Sequence, residues 1–137
     1  MRFATYSTGG QTYFGAVTDD GMIPLNEAFP QWPTLLDAVR AGGLDALQQS
    51  AGDKAASHRD VTYEMVLPNA SRILCVGVNF PDRNAEYKDG SEQPKFMSLF
   101  PRSASGFTGH DRPLIRPPES SQLDYEGEVA IVIGKAG

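Results

Sequence analysis

Glu126 and Glu128 stand two residues apart in Asp124-Tyr125-Glu126-Gly127-Glu128 and lead directly into Val129-Ala130-Ile131-Val132-Ile133, which Gly134 closes. The β-branched second half of this stretch predicts a strand running to Lys135. Side chains alternate faces along a strand, so the two carboxylates share a face, with Cα atoms roughly 7 Å apart. Two like charges at the threshold of an apolar run repel each other and resist desolvation. A divalent cation between them removes both costs, and ligation by oxygen alone favours Mg²⁺, Mn²⁺ or Ca²⁺ over zinc. The same spacing also describes a solvated strand start that happens to carry two acids. The residues by themselves leave both readings open.

The elements that must position this pair fall into three stretches. Met1 to Tyr6 and Thr12 to Val17 read as strands, and a turn at Asp19-Asp20-Gly21 leads into a third, Met22 to Leu25. Pro33 to Arg40 reads as a helix with Leu35, Leu36 and Val39 at helical spacing. Gly42-Gly43 interrupts it, and Leu44 to Ala56 reads as a second helix, with His58 as a cap favoured by the helix dipole. Residues 1–70 are thus expected to form a small N-terminal β/α accessory domain, bounded by the turn Pro68-Asn69-Ala70-Ser71.

Beyond that turn, Arg72 to Val78 reads as a buried strand. Asn79-Phe80-Pro81-Asp82 then starts a short helix, with Asn79 as its cap and a stop by Gly90. Residues 91–121 are rich in Pro, Ser and Gly, with brief extended pieces at Lys95 to Phe100 and Pro113 to Arg116. Phe96, Phe100 and Phe107 are expected to pack in a core or a lid. The chain shows no internal repeat and no Gly-rich phosphate loop.

Composition narrows the function. With 137 residues, 40% hydrophobic and 21% charged, the chain can bury a core. A formal net charge of -5 argues against wrapping nucleic acid or lying on an anionic membrane. The apolar runs Ile73 to Val78 and Val129 to Ile133 are far too short to span a bilayer, and Met1 to Tyr6 lacks the apolar core of a signal peptide. A cytoplasmic location is the default. The single cysteine, Cys75, excludes an internal disulfide and a thiolate metal cluster, and its apolar surroundings suit a packed thiol.

Five segments follow one another in a telling order: Val76-Gly77-Val78-Asn79-Phe80, Glu86, Pro94 to Arg102, Pro113-Leu114-Ile115-Arg116-Pro117, and Asp124 to Lys135. Together they resemble the fumarylacetoacetate hydrolase family, from Arg72 to the C-terminus. The resemblance implies an α+β chain in which residues 71–137 begin a mixed β-sandwich catalytic domain, and a homodimer. It implies Mg²⁺ or Mn²⁺, with Ca²⁺ possible in the family, held in part by Glu126 and Glu128. The substrate would be a small 2-oxo or 1,3-dioxo acid. Hydrolysis of a C–C bond in an acylpyruvate-like substrate through a metal-stabilised enolate is the first expectation. Isomerisation or decarboxylation, as in aromatic catabolism, is the alternative because it shares that enolate.

The family places a histidine four residues after the Asn and a glutamate three further on, as a general-base dyad. Here Glu86 keeps the glutamate position, but Arg83 replaces the histidine. Arginine stays protonated and cannot serve as an ordinary base. It can pair with Glu86 one helical turn away, bind a substrate carboxylate bidentately, or mark a relative that no longer catalyses the reaction and is kept as a binding protein. Glu86 is the candidate base, raised by desolvation on closure and lowered by the neighbouring Arg83. Arg102 falls where the family carries lysine and is a candidate anion binder, as is Asn79 for the substrate. His110 is either a turn residue or a substitute imidazole. The family's third metal-binding carboxylate follows the acidic strand by a few tens of residues, so the resemblance places it beyond Gly137 and makes this chain the N-terminal part of a longer protein with much apolar surface uncovered.

Overall fold

The computed structural model describes residues 1–50, 56–80, 90, 92, 94–123 and 128–135. They pack as two units, Met1–Pro68 with Thr108–Gly137, and Asn69–Phe107. Strands dominate, with two short α-helices among the described residues.

In the first unit, strands Arg2–Thr8 (β1) and Gln11–Val17 (β2) form a hairpin whose ladder pairs Arg2 with Val17 through to Thr8 with Gln11. Gly9 and Gly10 both hold positive φ, as a two-residue hairpin turn of this hand requires. Met22–Pro24 (β3) adds to β2, and the two-residue strand Thr62–Tyr63 (β4) adds to β1, giving the order β3-β2-β1-β4. The β2–β3 turn is held by Thr18, whose hydroxyl donates to the Gly21 carbonyl at 2.9 Å and accepts from the Gly21 N–H at 3.1 Å.

The register explains the burial. Phe3 opposite Ala16 and Thr5 opposite Phe14 lie on one face of the sheet. Phe14 and Ala16 pack there with Leu25, Leu35, Ala38 and Leu47, the last three from the helices Leu35–Arg40 (α1) and Leu44–Gln49 (α2). Ala4 and Tyr6 lie on the other face and pack with Met22, joined by Tyr13, Val17, Val61 and Tyr63. Both faces are covered, so this strand pair is apolar on both sides rather than strictly alternating.

Local chemistry sets the helix limits. Thr34 caps α1: its hydroxyl accepts from the Asp37 N–H at 3.3 Å, and the Asp37 carboxylate accepts from the Thr34 N–H at 3.0 Å. The first helix therefore starts at Leu35, not at Pro33. Gly43 lies against the Trp32 ring where no Cβ would fit, and it separates α1 from α2. The second helix ends at Gln49, not at Ala56. Ala56 instead exchanges two backbone hydrogen bonds with Met22, each 2.7 Å, which requires extended backbone there. His58 is correspondingly not a helix cap. It opens a short 3₁₀ turn, His58–Asp60, and its ring bridges Tyr63 Oη at 2.6 Å and the Thr18 carbonyl at 2.8 Å. A carbonyl only accepts, so Nε2 carries a proton.

The second unit holds a two-stranded antiparallel ribbon, Leu74–Gly77 (β5) with Ser98–Pro101 (β6). The expected buried strand over Arg72 to Val78 is shorter and half exposed, with Leu74 at 61%. Among the described residues of this unit no further layer packs on the ribbon. Phe96, Phe100 and Phe107 are likewise exposed rather than packed in a core. The expected strand from Val129 to Lys135 makes no ladder among the described residues, and Val129 is 88% exposed. A strand is held by pairing with another, and no described strand pairs with this one. Pro113 to Arg116 has no ladder either.

Tyr6 provides a test of the packed unit. It is fully buried, and that burial, with Tyr13 stacked 5.7 Å away adding to it, pushes the phenol from 10.0 up to about 12. The raised value means that the folded state holds its proton longer than the unfolded chain does. Stability is therefore full below pH 10 and declines as pH rises towards about 12. A rise of this size is worth about 2–3 kcal/mol. Denaturant titrations at pH 9 and pH 12 are expected to show that extra alkaline loss in the wild type and not in Tyr6→Phe.

Candidate metal and substrate site

The end of β5 delivers the first candidate substrate residue. Gly77 closes the strand opposite Ser98, and Val78 turns the chain with a positive φ of 56°. Asn79 and Phe80 follow, both exposed. The approach to β6, Lys95 to Met97, lies at this same end of the ribbon because Ser98 pairs with Gly77. Lys95 holds its ammonium 5.6 Å from the Phe96 ring centroid, a cation near the Asn79 end that spacing in the sequence did not single out. The expected dyad, Arg83 and Glu86, lies outside the described residues.

Arg102 leaves the other end of the ribbon. Its N–H donates to the Ile73 carbonyl at 3.0 Å, continuing the β5–β6 ladder by one bond. Its guanidinium lies over the Phe100 ring, 5.1 Å from the centroid. The length of β5 therefore separates the backbones of Arg102 and Asn79, roughly 15–20 Å at strand rise. Cys75 shares its ribbon face with Phe100 and is only half buried, which corrects the expectation of a packed thiol.

In the first unit His110 sits in a turn that docks on β4. Gly109 lies against the Tyr63 carbonyl, where a Cβ would collide, and the Arg112 N–H donates to the Gly109 carbonyl at 3.3 Å. His110 meets the Tyr63 ring edge-on at 5.5 Å, and its Nε2 is 3.4 Å from Asp111 Oδ2. Arg112 Nη1 donates to Glu64 Oε2 at 2.9 Å, while Glu64 Oε1 accepts from the Ser7 hydroxyl at 2.8 Å. His110 is a turn residue seated on the N-terminal sheet.

Of the two candidate metal ligands, Glu128 is described and exposed at the head of the apolar run, and Glu126 lies outside the described residues. Among the described residues no three His, Cys, Asp or Glu side chains converge on one point. The donor chemistry fits a hard divalent cation, since a carboxylate offers only oxygen. No helix among the described residues is long and apolar enough to cross a membrane.

The comparisons agree with the resemblance read from the sequence. Residues 72–137 match the family model for the fumarylacetoacetate (FAA) hydrolase C-terminal domain. The chain is 30% identical over 122 residues to the mitochondrial oxaloacetate tautomerase Fahd2a of Rattus norvegicus, covering 85% of this chain and 38% of that protein. It is 32% identical over 130 residues to the corresponding tautomerase of Xenopus laevis, covering 90% and 40%. The oxaloacetate tautomerase YisK of Bacillus subtilis matches at 26% identity, across 100% of this chain and 53% of its own length. A solved chain from Mycobacterium smegmatis described as an HpcE protein shares the fold, with a TM-score of 0.64 at 20% identity over 83% of this chain and 40% of that one. Residues 72–137 belong to the fumarylacetoacetate hydrolase family. The chain spans about two fifths to one half of the length of these relatives.

The docked turn yields a ranking. In Gly109→Ala a methyl group must displace the Tyr63 backbone, at a cost of about 1–3 kcal/mol. Arg112→Ala removes a half-exposed ion pair, at a cost of about 0.5 kcal/mol. Chemical denaturation of both variants is expected to find Gly109→Ala the less stable.

Proposed function

We propose that the protein is a divalent-metal-dependent enzyme acting on a small 2-oxo acid, and that its reaction is keto–enol tautomerisation of an oxaloacetate-type dicarboxylate. The observation that carries this is the family match over residues 72–137, one span that contains Asn79, Arg83, Glu86, Arg102, Glu126 and Glu128. Relatives named as oxaloacetate tautomerases support the choice of reaction.

Glu126 and Glu128 would hold Mg²⁺ or Mn²⁺, which when bound supplies positive charge that acidifies a proton next to a carbonyl. Asn79 offers an amide N–H to a substrate oxygen. Arg83 offers a two-pronged contact to a substrate carboxylate. Glu86 takes the proton from carbon and returns it to oxygen.

Arg83 decides between the two reactions. Tautomerisation moves one proton, and a single carboxylate can carry it. Hydrolysis of a C–C bond also needs a water deprotonated, the task of the imidazole that Arg83 replaces. Hydrolysis remains the second reading because Glu86 keeps the family's glutamate position. A cytoplasmic homodimer belongs to the same proposal.

The test follows the ultraviolet absorbance of enol oxaloacetate in the presence of Mg²⁺ or Mn²⁺. Glu86→Gln and Glu126→Gln are each expected to lower the protein-dependent rate about 100-fold or more. Arg83→His is expected to introduce cleavage of acylpyruvates. Cleavage by the wild type faster than tautomerisation would establish the second reading, and metal-dependent turnover of neither substrate would sink both.

A further inference from the structure

Among the described residues, two non-glycine residues adopt left-handed backbone, Val78 with φ 56° and Asp111 with φ 58°. Asp111 is in an exposed turn, where a short polar side chain tolerates that conformation. Val78 is different in kind. A branched Cβ clashes with its own backbone there, and such a residue persists only where its surroundings over-determine it.

The neighbouring glycine sharpens the point. Gly77 is not among the glycines at positive φ, and a Cβ built on it would stand 3.4 Å from Ser98 Cβ and 3.8 Å from Phe100 Cε1, in ordinary contact. The chain thus has glycine where neither conformation nor space requires it, and valine where the backbone favours glycine. What holds Val78 is visible on one side: the ladder from Leu74–Pro101 to Gly77–Ser98 fixes the strand up to the residue before it. Its own side chain is half buried. A left-handed residue after a strand redirects the chain, so the conformation of Val78 determines how Asn79 departs from the ribbon.

We infer that Val78 is a positioning residue, whose strained left-handed backbone at the end of β5 fixes the exit direction of Asn79 at the expense of stability. The inference rests on the assignment of Asn79 to the substrate site. Glycine at 78 would reach the same conformation without the clash, but would reach many others as well.

Strain kept for positioning has a signature that a purely structural role lacks: relief raises stability while function falls. Val78→Gly is expected to melt about 4 °C or more above the wild type. Its Asn79 amide is expected to exchange with solvent several-fold faster, and its kcat on oxaloacetate to fall about tenfold or more with a smaller change in KM. Val78→Asn, which favours the left-handed region, is expected to melt higher while restoring slow Asn79 exchange and most of the turnover. A Val78→Gly midpoint at or below the wild type overturns the inference, as does unchanged Asn79 exchange or unchanged kcat. Absence of wild-type turnover would sink the proposed reaction alone, and melting and exchange, measured without substrate, would still decide the role of Val78.

Discussion

The seven-pair ladder between β1 and β2 is the constraint on which the first unit rests. Both of its faces are covered, by α1 and α2 on one side and by Met22, Val61 and Tyr63 on the other. The rest of that unit is tied back to it. The Met22–Ala56 bridge returns the chain to the edge of the sheet, and His58 ties the same return to Thr18 and Tyr63. Glu64 then connects Ser7 on β1 to Arg112. The Ala56 and His58 ties are polar bonds placed beside a packed apolar face, where exclusion of water strengthens directed bonds, whereas the Glu64–Arg112 pair is half exposed.

The ribbon of the second unit shows the opposite balance. Leu74 and Val76 share a face with Leu99 and Pro101, and all four are exposed. Backbone pairing alone gives a two-stranded ribbon marginal stability, because its side chains gain little by leaving water. The residues assigned to chemistry are carried on or beside such lightly covered segments: Asn79 and Arg102 flank the ribbon, and Glu128 heads an exposed apolar run. Substrate-facing groups must remain reachable, so they belong on the less buried parts of a chain.

Much of the first unit was legible because its signals are local. Alternation and turn residues mark β1, β2 and β3 to within two residues, and leucine spacing marks both helices. The errors have tertiary causes. Helical propensity extends α2 to Ala56, but two backbone bonds to Met22 outcompete it there. Distance from a helix end makes His58 a cap, while its actual partners, Thr18 and Tyr63, belong to distant parts of the chain. The apolar runs at 73–78 and 129–133 signal burial, yet burial requires an opposing layer that composition cannot supply. Of the candidate site, the residue types and the order of motifs were legible. The left-handed turn at Val78 was not, since a β-branched residue is among those least expected to adopt it.

Residue chemistry also orders the family's reactions for this chain. A cation at position 83 serves any step in which a substrate carboxylate needs a partner, and it opposes any step in which position 83 must accept a proton. Tautomerisation, decarboxylation and C–C cleavage all require electrons to be held on a carbonyl oxygen, so on the proposed reading a cation held by Glu126 and Glu128 would serve them equally. Only cleavage by water adds a second proton acceptor to that requirement. Exchanging imidazole for guanidinium therefore leaves the shared step intact and weakens the one step specific to hydrolysis. The same exchange adds a fork suited to a second carboxylate, which a 2-oxo dicarboxylic acid carries and a simple acylpyruvate lacks. On the proposed reading, loss of the base and gain of an anion contact would favour the same substrate type, and both would follow from the single residue Arg83.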